Sequence, residues 1–545
     1  MKRSVQIPVL LVAAAGVLAA AVIVGCMSVS VPGGATYEQR APFLGLAAKA
    51  ARVGAEQAAD APGRPAEDAE FNTESYDHVV DNPFRRVADH PLSTFSIDVD
   101  TASYANVRRF LRQGQLPPPG AVRVEEMINY FPYDYAPPSG DDPVPFSVHI
   151  DVASCPWKAG HRLVRIGLKG REIDLRRRPP GNLVFLLDVS GSMQAPNKLA
   201  LLKQGMKLLV DKLGENDRVA IVVYAGREGL ALPSTPCDRK EKILAALDRL
   251  QAGGTTAGGA GIQLAYKVAV ENFIPGGTNR VILGTDGDFN VGITDQSRLV
   301  RLIQDKAKSG VFLSVLGFGM GNYKDSRLEK LADEGNGNYA YIDTLQEARK
   351  VLVKEMGGTL ITIAKDVKIQ VELNPAKVAA YRLIGYENRI LRKEEFNDDA
   401  KDAGDIGAGH TVTALYEVVP PGVKLDLPGV DPLKYQKPAS SAGGAHGDEM
   451  LTVKLRYKKP DGEKSTRVSF AVTDGGRSLD DAPADFKFAA AVASFGMILR
   501  DSKYKGAYTL AAVLELARSG KGRDAEGYRR EFVELVRKAR ELKRS

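Results

Sequence analysis

Between residues 183 and 356 one two-part pattern repeats. A short run that is apolar at almost every position is followed by a longer stretch with apolar residues at helical spacing. The short runs are residues 183–187, 218–224, 280–284 and 311–316. The helical stretches are 198–213, 240–250, 258–273, 297–309, 327–333 and 345–356. A strand that is apolar throughout is covered on both faces. Strands alternating with helices fold as a doubly wound, mostly parallel sheet with helices on both sides. This spacing predicts an α/β domain over residues 181–356.

The flanks follow different rules. Before the domain, residues 95–99, 146–152 and 163–168 alternate like strands, and 124–130 reads as a helix, which makes 78–180 a mixed α/β module. Thr101 or Ser103 is placed to cap the helix that runs through Arg109 and Leu111. After the domain, residues 367–373, 411–416 and 451–457 alternate with period two, the pattern of antiparallel strands with one face in water. From Phe486 the pattern turns helical, and Phe532, Leu535, Val536 and Ala539 share one face of a final amphipathic helix. Residues 357–545 therefore read as a β-rich, then helical, C-terminal domain.

The first residues carry an address. Met1-Lys2-Arg3 precedes an apolar stretch over 7–24 that ends at Ile23-Val24-Gly25-Cys26, the layout of a secretory signal. Ile23-Val24-Gly25-Cys26 resembles the bacterial lipobox. The resemblance implies cleavage after residue 25, lipid on Cys26 and a membrane tether that does not cross the bilayer. Met27, rather than Asp, follows the Cys, which by the same resemblance favours the outer membrane. Residues 27–77, rich in Ala, Gly, Pro and charge, read as a tether. Only Cys155 and Cys237 then remain, in an oxidising compartment; they are read as unpaired. The net charge of +7 over 545 residues, with no aromatic-plus-basic platform, does not describe a nucleic-acid binder. The run Arg176-Arg177-Arg178 is read as a solvated connector.

The chemistry concentrates at Asp188-Val189-Ser190-Gly191-Ser192, after one buried strand and before a helix. Ligands of open α/β sheets bind at the carboxyl ends of strands. A carboxylate and two hydroxyls on a tight loop suit a hard cation such as Mg²⁺, which takes oxygen ligands. Asp188 as a plain helix cap, with Ser190 and Ser192 as loop polars, explains the triplet alone equally well. Two further segments decide between them. Gly253-Gly254-Thr255-Thr256-Ala257-Gly258-Gly259 opens a helix and offers a hydroxyl. Gly284-Thr285-Asp286-Gly287-Asp288 follows another buried strand and offers a second carboxylate.

In this order the three segments resemble the metal-ion-dependent adhesion site of von Willebrand factor type A and integrin inserted domains, over about residues 183–356. The resemblance implies metal ligands at Asp188, Ser190, Ser192, Thr256 and Asp286, holding Mg²⁺, or Mn²⁺ or Ca²⁺. Thr256 is preferred to Thr255 because it stands five positions before Gly261, the family's spacing, and Asp288 is read as a loop carboxylate. An acidic group of a protein partner would bind the ion. The flanks Phe95–Tyr104 and Arg123–Phe131, and the region after Gly358, resemble bacterial YfbK-like lipoproteins, which implies architecture rather than ligand.

Other motifs fail. Asp98-Val99-Asp100 hints at a phosphatase pair, but Ala102 stands where Thr or Val belongs. The Gly253–Gly259 turn lacks the Gly-Lys-Ser/Thr of a P-loop. Ser190 lacks the glycines of a nucleophile elbow and has no identifiable base. The six His residues have no zinc spacing, and Gly317-Phe318-Gly319-Met320-Gly321 is a loop after a strand. The expectation is a non-enzymatic, metal-dependent binding lipoprotein of the cell envelope. A scaffold with a purely stabilising metal is the alternative, and a metal-assisted hydrolase a more distant one.

Overall fold

The computed structural model describes residues 74–174, 178–225, 227–254, 259–287, 296–320, 324–355, 358, 361–425 and 447–544. The lipobox with Cys26, the tether up to residue 73, Thr255, Thr256, Asp288, Arg176 and Arg177 lie outside them; the last residues read as tether are docked instead, since Glu74 pairs with Arg109 and the Tyr76 hydroxyl donates to Glu74.

In chain order the strands are β1 (Arg85–Arg86), β2 (Leu92–Ser96), β3 (Phe146–Ser154), β4 (Arg162–Gly170), β5 (Gly181–Asp188), β6 (Arg218–Ala225), β7 (Arg227–Pro236), β8 (Thr278–Thr285), β9 (Val311–Phe318), β10 (Tyr339–Ile342), β11 (Thr362–Leu373), β12 (Ala380–Ile384), β13 (Ile390–Leu391), β14 (Gly404–Gly407), β15 (Thr411–Val419), β16 (Glu449–Lys458) and β17 (Ser465–Thr473). The central sheet has the order β10-β9-β8-β5-β6-β7. All neighbours in it are parallel except β7, which runs antiparallel along β6 at one edge. Every residue of β5 is buried, as its unbroken apolar run requires.

Helices cover both faces of this sheet. Leu202, Met206 and Leu209 of α3 (Leu201–Lys212) and Ile243 and Leu247 of α4 (Lys240–Arg249) share one apolar cluster with Leu183, Phe185 and Leu187. Ile262 and Tyr266 of α5 (Gly259–Glu271), Leu299 and Ile303 of α6 (Gln296–Lys308), and Leu328 and Leu331 of α7 (Asp325–Glu334) share another with Val184, Leu186, Val281 and Leu283. The doubly wound α/β reading holds. β7 and β10 are additions to it, the first broken by Gly229 and Pro233, the second only four residues long.

The flanking segments share their sheets. One sheet runs β1-β12-β15-β4-β3, and another β13-β2-β11-β16-β17 with β14 also on β11. Strands from before and after the central domain thus pair directly, as Lys169 with Thr411 and Phe95 with Ile369. A third apolar cluster joins α1 (Ala102–Arg112) and α2 (Val124–Asn129) to the C-terminal helices Ala484–Leu499, Leu510–Ser519 and Tyr528–Leu542. Thr101 precedes α1 but its side chain makes no capping bond, and Ser103 lies inside the helix, its hydroxyl donating to the Ala121 carbonyl. Arg178 is not a solvated connector residue: it pairs with Asp217 and is nearly buried. Cys155 and Cys237 are free and buried. Among the described residues no helix is long and apolar enough to cross a membrane.

Candidate metal centre

In the central sheet the chain leaves β5 toward β6 on one side, and β8 joins on the other. Such a reversal opens a crevice at the carboxyl ends of the strands. Asp188 is the last residue of β5, in register with Tyr224 of β6, and Leu187 is in register with Gly284 of β8. Asp286 therefore emerges one residue past the end of the adjacent strand.

Asp188 is buried and fully engaged. Its Oδ1 accepts from the Ser190 backbone N–H at 2.9 Å; its Oδ2 accepts from the Tyr224 hydroxyl at 3.2 Å and the Thr285 hydroxyl at 3.3 Å. Burial pushes its carboxyl up to about 6; the Ser190 hydrogen bonds oppose this, and the nearby charge of Asp286 adds to it. Ser190 and Ser192 bring their hydroxyl oxygens to 2.9 Å. The loop is tied to the second segment, since Gly191 N–H donates to the Gly254 carbonyl and Gly253 N–H to the Val189 carbonyl. Gly254 has a φ of +84°, in the left-handed region that favours glycine. Farther along, Gly261 sits so close to β6 that a Cβ there would come within 2.9 Å of the Tyr224 Cβ. The structure thus brings Asp188, Ser190, Ser192 and Asp286 to one end of the sheet. It says nothing of Thr256 or Asp288.

The carboxylates of the site are closed off from solvent. Asp188 is 0% and Asp286 1% exposed, because Tyr224, Thr285 and Lys198 close over the carboxylates. Lys198 was not foreseen. It lies in a kinked turn, Pro196–Ala200, with φ −116° and ψ −108°, and its ammonium donates to Asp286 Oδ2 at 3.0 Å. Its stem lies against Gly319, where a Cβ would come within 2.3 Å of Lys198 Cε and where φ is +76°. The glycine-rich loop after β9 is therefore a seat for this lysine. No sequence signal marks Lys198, since its contact depends on how two loops meet.

The donors fit a hard divalent cation. They are all oxygens, and among the described residues no cluster of three or more His, Cys, Asp and Glu suits a metal. Adjacent oxygens on a magnesium octahedron with bonds of about 2.1 Å stand roughly 3 Å apart, the span of the Ser190–Ser192 pair. A divalent ion would bring the two carboxylates a positive partner beside the Lys198 ammonium. Asp188, Ser190, Ser192 and Asp286 would hold the ion, and the ion would supply an electron-poor position for an acidic group.

The family model described as von Willebrand factor type A domain matches residues 182–354, that described as uncharacterized protein YfbK, C-terminal, matches 358–542, and a further von Willebrand factor model matches 70–165. The uncharacterized protein YfbK of Escherichia coli strain K12 is 46% identical over 471 residues, 85% of this chain and 80% of that protein. The chain belongs to the YfbK family. Its central unit is a von Willebrand factor type A domain with the doubly wound sheet described above. Among solved structures, a von Willebrand factor type A protein from Catenulispora acidiphila is 18% identical and aligns over 74% of this chain and 92% of its own, with a TM-score of 0.40. A mussel byssus protein, proximal thread matrix protein 1, solved with a zinc-occupied MIDAS motif, is 25% identical over 32% of this chain and 45% of its own, with a TM-score of 0.28.

Proposed function

We propose that this YfbK-family protein is a non-enzymatic, metal-dependent binding lipoprotein of the cell envelope. Its central domain would hold Mg²⁺, or Mn²⁺ or Ca²⁺, at Asp188, Ser190, Ser192, Thr256 and Asp286. The bound ion would accept an acidic group from a protein partner. The observation that carries this reading is the pair of buried carboxylates at the ends of adjacent strands, beside the hydroxyls of Ser190 and Ser192. Lys198 speaks against a purely stabilising metal, because the fold already supplies Asp286 with a cation.

The test is affinity capture from envelope extract with the full chain, in Mg²⁺ and in chelator. The reading expects a partner retained in Mg²⁺ and released by chelator. A partner retained equally in both would favour the scaffold reading.

Anchoring rests on Ile23-Val24-Gly25-Cys26 and Met27, which support an outer-membrane lipoprotein. Cys26→Ser should abolish labelling by fatty acid and release the protein from membranes. Continued labelling of that variant would contradict the anchor.

A further inference from the structure

A cavity of about 670 Å³ lies away from the metal centre, walled by all three parts of the chain. The central domain contributes Arg280 near the start of β8 and the turn from Asp333 to Tyr339. The N-terminal segment contributes Ser96 and residues 98–101, and the C-terminal segment contributes residues 388–391, 401–405 and 407–411. That volume is in the range of small-ligand sites, which favour junctions between domains.

Two buried charged groups on its wall each keep an unused hydrogen-bonding position. Arg280 is 4% exposed, and its Nη1 donates to the Ser314 hydroxyl at 2.6 Å. Its guanidinium lies 5.6 Å from the centre of the Phe312 ring. Its Nε has no acceptor, and among the described residues no carboxylate forms an ion pair with it. Burial lowers its pKa to about 10, and only the charge of Asp405 opposes this. A buried guanidinium without a carboxylate is costly to the fold, and a ligand anion would relieve it.

Asp100 is the counterpart. It is 5% exposed, and its Oδ1 accepts from the Tyr339 backbone N–H at 2.8 Å. Its Oδ2 has no hydrogen-bond donor, and the nearest cation, Arg389, stands 3.7 Å away. That one guanidinium also serves Asp333 at 2.7 Å, Asp98 at 3.4 Å and Glu329 at 3.3 Å. This wall is therefore rich in acid. Arg280 is seated on Ser314 and Phe312, and Asp100 on Tyr339 and Arg389, so different neighbours hold the two groups.

We propose that this cavity binds a small zwitterion of the amino-acid or short-peptide class, its carboxylate on Arg280 and its ammonium on Asp100. The cost of holding Arg280 unpaired in the free protein is then recovered on binding. This site does not depend on the metal centre and is tested without metal.

The experiment is titration calorimetry of the full chain in chelator, with glycine and trialanine as probes. Trialanine amidated at its C-terminus and trialanine acetylated at its N-terminus complete the set. At least one free probe should bind, and blocking either end should weaken trialanine by about tenfold or more. Arg280→Met keeps the apolar stem on Phe312. It should bind free and amidated trialanine equally weakly, and its unfolding temperature without ligand should rise. Asp100→Asn keeps an acceptor for Tyr339 N–H and should lose the difference between free and acetylated peptide. No binding of either free probe at millimolar concentration would overturn the proposal, as would blocked peptides that bind the wild-type protein as tightly as free ones. The blocked-peptide comparison needs no variant, so it stands even if a substitution impairs folding.

Discussion

At the scale of single residues, the candidate metal centre is a balance of charges. The Lys198 ammonium donates to Asp286 and would repel an incoming cation. Lys198→Met should therefore raise Mg²⁺ affinity, on the order of tenfold for about 1.4 kcal/mol of relieved repulsion; an unchanged or weaker affinity would show that the ammonium does not sense the ion. Truncating Asp188 to Ala would leave the Tyr224 and Thr285 hydroxyls buried without their acceptor, costing about 1–3 kcal/mol, so Asp188→Asn is the cleaner probe. The Asp-x-Ser-x-Ser triplet and the later Thr-Asp-Gly were legible because each follows an apolar run. Tyr224, Lys198 and the contact of the Thr285 hydroxyl with Asp188 were not, because hydroxyls and amines that close over a carboxylate are set by tertiary contacts. Buried acids elsewhere give the protein a pH signature. Burial and the neighbouring Glu387 push Glu125 up to about 8, and burial pushes Asp405 up to about 7. An acid raised in the fold costs stability as it is forced to ionise, so stability falls as pH climbs from the unfolded value to the folded one. His410, lowered to about 4, acts in the opposite direction, but only up to its ordinary value near 6.5. Between pH 6.5 and 8 the acids act alone, and the unfolding temperature should fall. Glu125→Gln should flatten that fall, and an equally steep slope in the variant would contradict the assignment.

At the scale of elements, periodicity located the core strands of the central sheet and the helices on its faces, but not β12, β17 or the helix Leu510–Ser519 in the C-terminal segment. It missed β7 and β10, which stand at the two edges of the central sheet. β10 is held by geometry rather than by length. Gly337, just before it, packs so tightly that a Cβ would lie 1.8 Å from the Leu313 carbonyl oxygen of β9, and Asp100 accepts from the Tyr339 N–H. Gly337→Ala must displace backbone, so it should destabilise by about 1–3 kcal/mol or more. Gly140→Ala, where a Cβ would meet nothing within 4 Å, should be nearly neutral. Urea denaturation of both variants measures the difference, and equal midpoints would show that the edge strand yields freely.

At the scale of the whole molecule, the linear order of the chain hides how its parts assemble. The sequence reads as a module before the central domain and another after it, yet β2 pairs with β11 and β13, and β4 pairs with β15. Alternating residues in Val367–Leu373 and Thr411–Tyr416 reveal strands but not partners hundreds of residues away, since any antiparallel neighbour satisfies the same pattern. Removing residues 358–545 would strip β2 of both its partners and leave β4 only β3, exposing long open edges. The shortened chain should aggregate or lose cooperative unfolding. A monomer that melts cooperatively, by size-exclusion chromatography and circular dichroism, would mean that the N-terminal segment is self-sufficient. The same interleaving builds the cavity around Arg280 and Asp100, while the described residues of the candidate metal centre all lie in the central domain. The most direct measurement of that centre is calorimetric titration of Mg²⁺ into the wild-type protein and Asp188→Asn, with circular dichroism on both. The expected result is saturable binding by the wild-type protein and none by an equally folded Asp188→Asn; unchanged Mg²⁺ affinity in that folded variant would contradict the site.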